Sequence, residues 1–362
     1  VIRRAADFIE QHGRPDPLGG LRTGFEPLDP DERRRRATAL APMIRGLAST
    51  DRRVIGRWFD DDPVLDFVGR EATPRLAPLG TSCPDHFIRT KVRPLLLDLP
   101  TTATIEEQMA RLRQLHEEYR DDYRRYYEGH AGPGTPPMRG ADPAIFLIPG
   151  VGMFSFGADR QTAQVAGEFY VNAINVIRGA EAVSAYSPVP EAEKFGVEYW
   201  KLEDIKLRRR PAPKPLTGTI AVVAGAGSAI GHTITRAYEE AGAVVVRADT
   251  DDAAGFGAAI DAAVLQFGGV DIAVGSSHPQ AITAMIAQGT GGDVVQLGTR
   301  PAVAELAAEL ADHRIRVNGI IVDGTADELP VARAARALVD GSLSQTTGLV
   351  IPIGRDGPRT GQ

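Results

Sequence analysis

One stretch restricts the fold more than any other: TIAVVAGAGSAIGHTITRAYEEAGAVVVRAD, residues 219–249. An apolar run runs straight into Gly225-Ala226-Gly227, and a helical pattern follows with Gly231 in its first turn. Glycine permits so tight a turn and lets backbone N–H groups approach a ligand, while the helix N-terminus adds partial positive charge. A second apolar run then leads to Asp249. Strand, glycine turn, helix and strand in this order imply a parallel sheet with crossover helices.

The pattern continues to the C-terminus. Apolar runs at 220–223, 244–246, 270–274, 294–297, 317–322 and 349–353 are separated by five helical segments. Residues 216–362 therefore read as a minimal Rossmann domain, a doubly wound parallel sheet within the α/β class. In that context Gly225, Gly227, Ser228, Ile230 and Gly231 occupy the place of a pyrophosphate, and Asp249 that of a carboxylate binding adenosine ribose hydroxyls. An acidic group there favours NAD over NADP. Arg247 shares its face by period-two alternation and stands where a 2′-phosphate would be accepted. The plainer alternative is that the glycines serve only a tight turn.

RRRPAPKP, with alternating prolines in a charged run, marks residues 208–215 as a linker. Residues 1–207 precede it as a first domain, largely helical up to about residue 72. DERRRRATALAPMIRGLAS and TIEEQMARLRQLHEEYRDDYRRYYEGH are helices, and the acidic pair before Arg33–Arg36 makes that basic run a solvated helix face. FIRTKVRPLLLDL alternates Ile88, Thr90 and Val92 with Arg89, Lys91 and Arg93, which predicts a strand with a basic face, either a solvated edge or an anion-holding surface. AIFLIPGVGMFSFG gives two short apolar runs, and TAQVAGEFYVNAINVIRGAEAV a helix with Val165, Phe169, Ala173 and Val176 on one side.

A formal charge of −6 argues against a general nucleic-acid binder. No 18-residue apolar stretch or secretory signal occurs, so the expected location is the cytoplasm. Cys83 is the single cysteine, which excludes internal disulfides and cysteine-cluster metal sites. VIRRAADFIEQHG opens as mid-helix without a cap, the pattern of a chain that begins inside a larger design.

GAGSAIG resembles the short-chain dehydrogenase pattern TGxxxGxG, with Ala224 at the threonine position and Ala229 at the middle glycine. FGGVDIAV, GTGGDVVQLGT, IRVNGIIVDG and TTGLVIPIGRDG resemble that family's later strands and C-terminal segment. The resemblance implies a Tyr-xxx-Lys pair with a serine, tyrosine exchanging a proton with the substrate oxygen and lysine lowering its pKa. No tyrosine here has a lysine four residues on, and past Tyr238 and Lys214 neither residue type recurs. The text runs from QLGT to PAVAELAAELADHRIRVNG, so the helix that carries the pair is absent or merged. Ser276, Ser277, His278 and Thr299 fall near strand C-terminal ends, and His278 and Thr299 are the weak catalytic candidates. Tyr199 and Lys201 are the nearest phenol and ammonium before the linker.

GTSCPDHFIRTKVRPL, IFLIPGVGMFSFGADRQTAQVAGEFYVNAINVIRGAEAV and VEYWKLEDIKL resemble the middle of bifunctional proteins joining a class II, zinc-dependent aldolase to a short-chain dehydrogenase. That family is linked to rhamnulose-1-phosphate cleavage and lactaldehyde oxidation. The resemblance implies an upstream metal-bearing aldolase module, with residues 73–190 as a second, degenerate class II aldolase-like α/β unit. Aldolase zinc needs converging histidines, two usually as His-x-His. The seven histidines, 12, 86, 116, 130, 232, 278 and 313, are scattered, and Gly150 and Val151 stand where catalytic relatives carry histidine. No metal site is expected. Cys83, Asp85 and His86 form either a thiol nucleophile with its base or, with Pro84 in a helix first turn, a structural turn.

Three readings follow: an NAD-dependent oxidoreductase of short hydroxy-aldehydes or alcohols, a cofactor-binding protein without turnover, and a structural remnant. The expected partners are a small-molecule substrate and either further copies of the chain or an aldolase module, with no nucleic acid and no membrane.

Overall fold

The computed structural model describes residues 2–209, 211–250, 252–275, 279–298, 303–322, 327–343 and 346–353. They divide into two units, Val1–Pro211 and Ala212–Gln362.

In chain order, the first unit comprises α1 (Ile2–His12), α2 (Pro30–Leu47), β1 (Ile55–Phe59), α3 (Asp62–Val68), α4 (Thr73–Leu76), α5 (Pro84–Thr90), β2 (Leu95–Leu96) and α6 (Ile105–His130). It continues with β3 (Ile145–Ile148), β4 (Gly152–Gly157), α7 (Arg160–Val183), α8 (Glu191–Glu198) and α9 (Lys201–Arg208). The strands form one sheet, β1-β4-β3-β2, in which β4 is antiparallel to both neighbours and β2 parallel to β3. β3 and β4 are buried at every position, as apolar central strands must be when both faces are covered. Helix α6 starts in a capping box: Thr104 Oγ1 accepts from the Glu107 N–H and Glu107 returns a bond to the Thr104 N–H.

Three expectations fail here. The basic strand over 88–93 is a helix, α5, ended by Lys91 at φ +64°. The apolar side assigned to α7 is also displaced: Ala163, Ala166, Gly167, Tyr170, Ala173, Ile174 and Ile177 are buried, whereas Val176 is 44% exposed. Strand β1 lies in a stretch that reads as helical.

The second unit comprises β5 (Ile220–Val223), α10 (Ala229–Glu240), β6 (Val244–Arg247), α11 (Ala253–Phe267), β7 (Ile272–Gly275) and α12 (Pro279–Gln288). It ends with β8 (Gly292–Gly298), α13 (Ala304–Glu309), β9 (Ile315–Val322), α14 (Glu328–Val339) and β10 (Val350–Ile353). All its strand pairs are parallel, in the order β10-β9-β8-β7-β5-β6. This is a doubly wound sheet that stops at its second strand on one side: β6 is the edge, and α11 leads back to β7. Val223, Ile234, Tyr238, Val274, Val295 and Ile320 belong to the core that α10 and α14 cover. Among the described residues no helix is long and apolar enough to cross a membrane.

Candidate functional site

β5 stands where the strand order reverses, with β6 on one side and β7 on the other. Open α/β sheets bind ligands beyond the carboxyl ends of strands at such a point. Three backbone bonds shape the turn there. The Ala224 N–H donates to Val274 O at 2.8 Å, the Gly225 N–H to Thr250 O at 3.4 Å, and the Ala226 N–H to Ala248 O at 3.0 Å. The first ties the turn to β7. The other two tie it to the segment leaving β6 and bring exposed Asp249 beside it.

Gly225 has φ +58°, a conformation costly for residues with a Cβ. Ser228 caps α10: its Oγ accepts from the Gly231 N–H at 3.1 Å and donates to Gly225 O at 2.8 Å. A Cβ on Gly231 would lie 2.2 Å from Gly225 O and 2.9 Å from Ala226 Cα, so only glycine lets the helix begin this close to the turn. At Gly227, by contrast, nothing lies within 4 Å of the Cβ position. Open space therefore adjoins a helix N-terminus whose first N–H groups lack intrahelical acceptors, a cradle that fits a pyrophosphate. Arg247 is drawn to α10 instead, its Nη2 3.1 Å from Glu239 Oε1.

The structure supplies no acid–base pair among the described residues of this unit. Tyr238 is fully buried, donates to Ala335 O at 3.1 Å, and is pushed by burial far above the usual phenol range. Among the described residues the link from β8 to β9 carries α13 and one 3₁₀ turn, and its sequence has neither tyrosine nor lysine. Ser276, Ser277, His278 and Thr299 lie outside the described residues.

In the first unit, the phenol of Tyr199 is engaged. Its OH is 2.8 Å from the Tyr123 OH and accepts from the Arg139 N–H at 3.3 Å. Tyr123 donates to Glu198 Oε1 at 2.5 Å, and Lys91 Nζ donates to Arg139 O, Gly140 O and the Tyr123 OH, 3.8 Å from Glu198. Burial lowers the pKa of Lys91, and burial with the nearby Glu198 raises those of Tyr123 and Tyr199. No local pattern announces this cluster, whose members are spread from residue 91 to 199.

Pro84 stands at the first turn of α5, and His86 stacks on Phe169 with ring centroids 4.7 Å apart. Burial lowers the pKa of that imidazole. Gly150 has φ +74° and a Cβ position 2.3 Å from Thr101 Cγ2, so a histidine there would be strained and would clash. Among the described residues no three His, Cys, Asp or Glu side chains gather as a metal-ligand set.

Residues 35–207 match the family described as class II aldolase, second domain. The chain is 30% identical over 307 residues to the uncharacterized oxidoreductase YuxG of Bacillus subtilis, covering 76% of this chain and 44% of that protein. It is 30% identical over 194 residues to the sex determination protein tasselseed-2 of Zea mays, covering 49% of this chain and 55% of that one. The chain thus spans about half the length of these curated relatives. An Escherichia coli hydroxysteroid dehydrogenase structure aligns with 39% of this chain and 97% of its own, at 19% identity and a TM-score of 0.33. The chain joins a class II aldolase-like unit to a short-chain dehydrogenase-like α/β unit.

Proposed function

We propose that the second unit binds NAD across the turn between β5 and α10 and that the chain transfers hydride poorly or not at all. The observation that carries the binding half is the cradle itself: Gly231 seated on Gly225 O, Ser228 capping α10, and open space over Gly227. Those N–H groups hold the pyrophosphate, and Asp249 accepts the ribose hydroxyls. Its carboxylate repels a 2′-phosphate, and Arg247 is already paired with Glu239, so NAD binds more tightly than NADP. The nicotinamide, when bound, supplies a hydride acceptor. The second unit's residues bind and orient the cofactor without a phenol–ammonium pair of their own to move the substrate proton.

Calorimetric titration of the purified chain with NAD and NADP tests this reading. Saturable NAD binding with weaker NADP binding supports it. Absence of NAD binding to the folded protein, or tighter NADP binding, overturns it.

A further inference from the structure

The sheet of the second unit ends in two edge strands, β10 and β6, and treats them differently. An edge presents a row of unpaired N–H and C=O groups that accepts another strand unless something blunts it. On β10 the Gly319 N–H donates to Leu349 O, so by the two-residue alternation of a strand Val350 and Pro352 turn their backbone outward. Proline has no N–H to offer there, and that edge is blunted.

β6 has no such protection. The Val244 N–H donates to Thr219 O and the Ala248 N–H to Val223 O, while Ala248 O and Thr250 O accept from the Ala226 and Gly225 N–H groups. The even-numbered residues from 244 to 250 therefore face β5 and its turn, and Val245, Arg247 and Asp249 turn their N–H and C=O groups to the open side. Among the described residues no backbone partner meets them there. The stretch VVVRADT, residues 244–250, holds no proline, glycine or lysine. Its valines are only half-buried, whereas β5 and β7 are buried at every position.

Charge decides what fits this edge. Arg247 and Asp249 are exposed and, two residues apart, share one face of the sheet. An antiparallel copy that sets Arg247 opposite its own counterpart brings like charges together. Shifted by two residues, the same copy sets each Arg247 opposite an Asp249, with Ala248 on the two-fold axis. Glu239 holds only Nη2 of Arg247, at 3.1 Å, and the guanidinium has donors to spare for a second carboxylate.

We propose that β6 is an interface between two copies of this chain, paired antiparallel about Ala248 into one continuous sheet. Arg247 and Asp249 exchange backbone hydrogen bonds with Asp249 and Arg247 of the second copy, and their side chains pair across the same junction. A strand of unrelated sequence would satisfy the backbone and leave that charge pattern unmatched. A pairing this short makes a weak, concentration-dependent dimer. The pairing does not rest on NAD binding at the glycine turn, and the test is made without the cofactor.

The test is sedimentation velocity of the full chain over a concentration series, on the wild type, Arg247→Asp, Arg247→Pro and the exchanged pair Arg247→Asp with Asp249→Arg. These side chains are exposed, so folding is retained, and circular dichroism checks it. The wild type is expected to pass from monomer to dimer as concentration rises. Arg247→Asp sets carboxylate against carboxylate at both ends of the junction and weakens the dimer by roughly tenfold. Arg247→Pro removes an outward N–H and abolishes it. The exchanged pair restores opposite charges and regains the dimer. A wild type that stays monomeric up to roughly 0.5 mM, the weak end of specific association, overturns the proposal and leaves the edge to solvent or to a strand of another protein. Dimerisation unaltered in Arg247→Asp or Arg247→Pro places the contact elsewhere and overturns it. So does an exchanged pair that folds and dimerises no better than Arg247→Asp.

Discussion

Gly227 and Gly231 stand four residues apart and answer to different constraints. A methyl group at Gly231 meets the Gly225 carbonyl and the Ala226 backbone, neither of which can rotate away, so Gly231→Ala is expected to destabilise the second unit by about 1–3 kcal/mol. Denaturant unfolding measures it. Gly227 has open space, so Gly227→Val is expected to leave stability unchanged and to remove most NAD affinity, because its side chain fills the cradle. Unchanged affinity in that variant takes the pyrophosphate away from this turn. Lys194, on α8 and 2% exposed, donates to Leu79 O at 2.8 Å and makes a separate prediction about pH. Burial lowers its pKa from 10.5 to about 8, with Glu191 opposing and Arg93 adding to the effect; the facing loop is held by Tyr186, which donates to Gly80 O. Below pH 8 both folded and unfolded chains hold the proton, and the fold bears its full penalty. Between about 8 and 10.5 the unfolded chain binds more protons, so stability rises with pH across that window. This rise is expected to flatten in Lys194→Met; an identical slope in that variant assigns it to another group. The cradle glycines were legible because glycine, strand and helix patterns coincide. The packing of Lys194 against Leu79 and Gly80 was not, since nothing local says that a lysine over a hundred residues later lies against that loop.

At the scale of elements, all six strands of the second unit and the helices between them were legible in the sequence, because parallel central strands read as continuous apolar runs. The first unit was harder, and α5 shows why. Over six residues a two-residue alternation of apolar and basic side chains also fits a helix whose inward positions are His86, Phe87 and Thr90. Pro84 and Asp85 in the first turn favour the helix, and Lys91 ends it in the left-handed region. Helix α7 was placed with the wrong face inward because hydrophobicity weights Val165 and Phe169 above glycine and alanine. The sheet selects small residues there: a Cβ on Gly167 would lie 2.1 Å from the Phe59 ring, so this helix can approach β1 only through that face. The loop from α6 to β3 is held by Lys91, whose ammonium caps Arg139 O and Gly140 O beside Glu198. Lys91→Met removes the cation from a buried carboxylate, and a loss of roughly 3–5 kcal/mol is expected. Lys91→Gly relieves the positive φ and loses the same cation, so it is expected to unfold at a denaturant concentration between those of Lys91→Met and wild type. Equal stability of all three would mean that Glu198 does not depend on this lysine.

For the whole molecule, the boundary between units follows the Arg and Pro run that ends α9. Arg208 and Arg209 are exposed, and bonds before proline resist trypsin, so limited tryptic cleavage is expected to begin around residues 208–210 and to leave two fragments. NAD is expected to slow further digestion of the C-terminal fragment alone, since a ligand lowers the population of open states only in what it binds; equal protection of both fragments would contradict the assignment. Chemistry depends on the same division. Seven of the eight tyrosines precede the boundary, and the eighth, Tyr238, is spent on Ala335 O in the core, so the unit that resembles a dehydrogenase has no accessible phenol among its described residues. Nor does Tyr199 offer one, as Tyr123 and the Arg139 N–H already occupy its oxygen. General acid–base assistance contributes about 10²–10⁴-fold. A chain that binds NAD without it is therefore expected to form NADH from short hydroxy-aldehydes and alcohols at least a hundredfold below the usual enzyme range of roughly 1–10³ per second. The absorbance of NADH at saturating NAD measures this directly. A turnover number within the usual range would show that another group moves the proton, and loss of that turnover in His278→Ala or Thr299→Ala, with NAD affinity retained, would identify it.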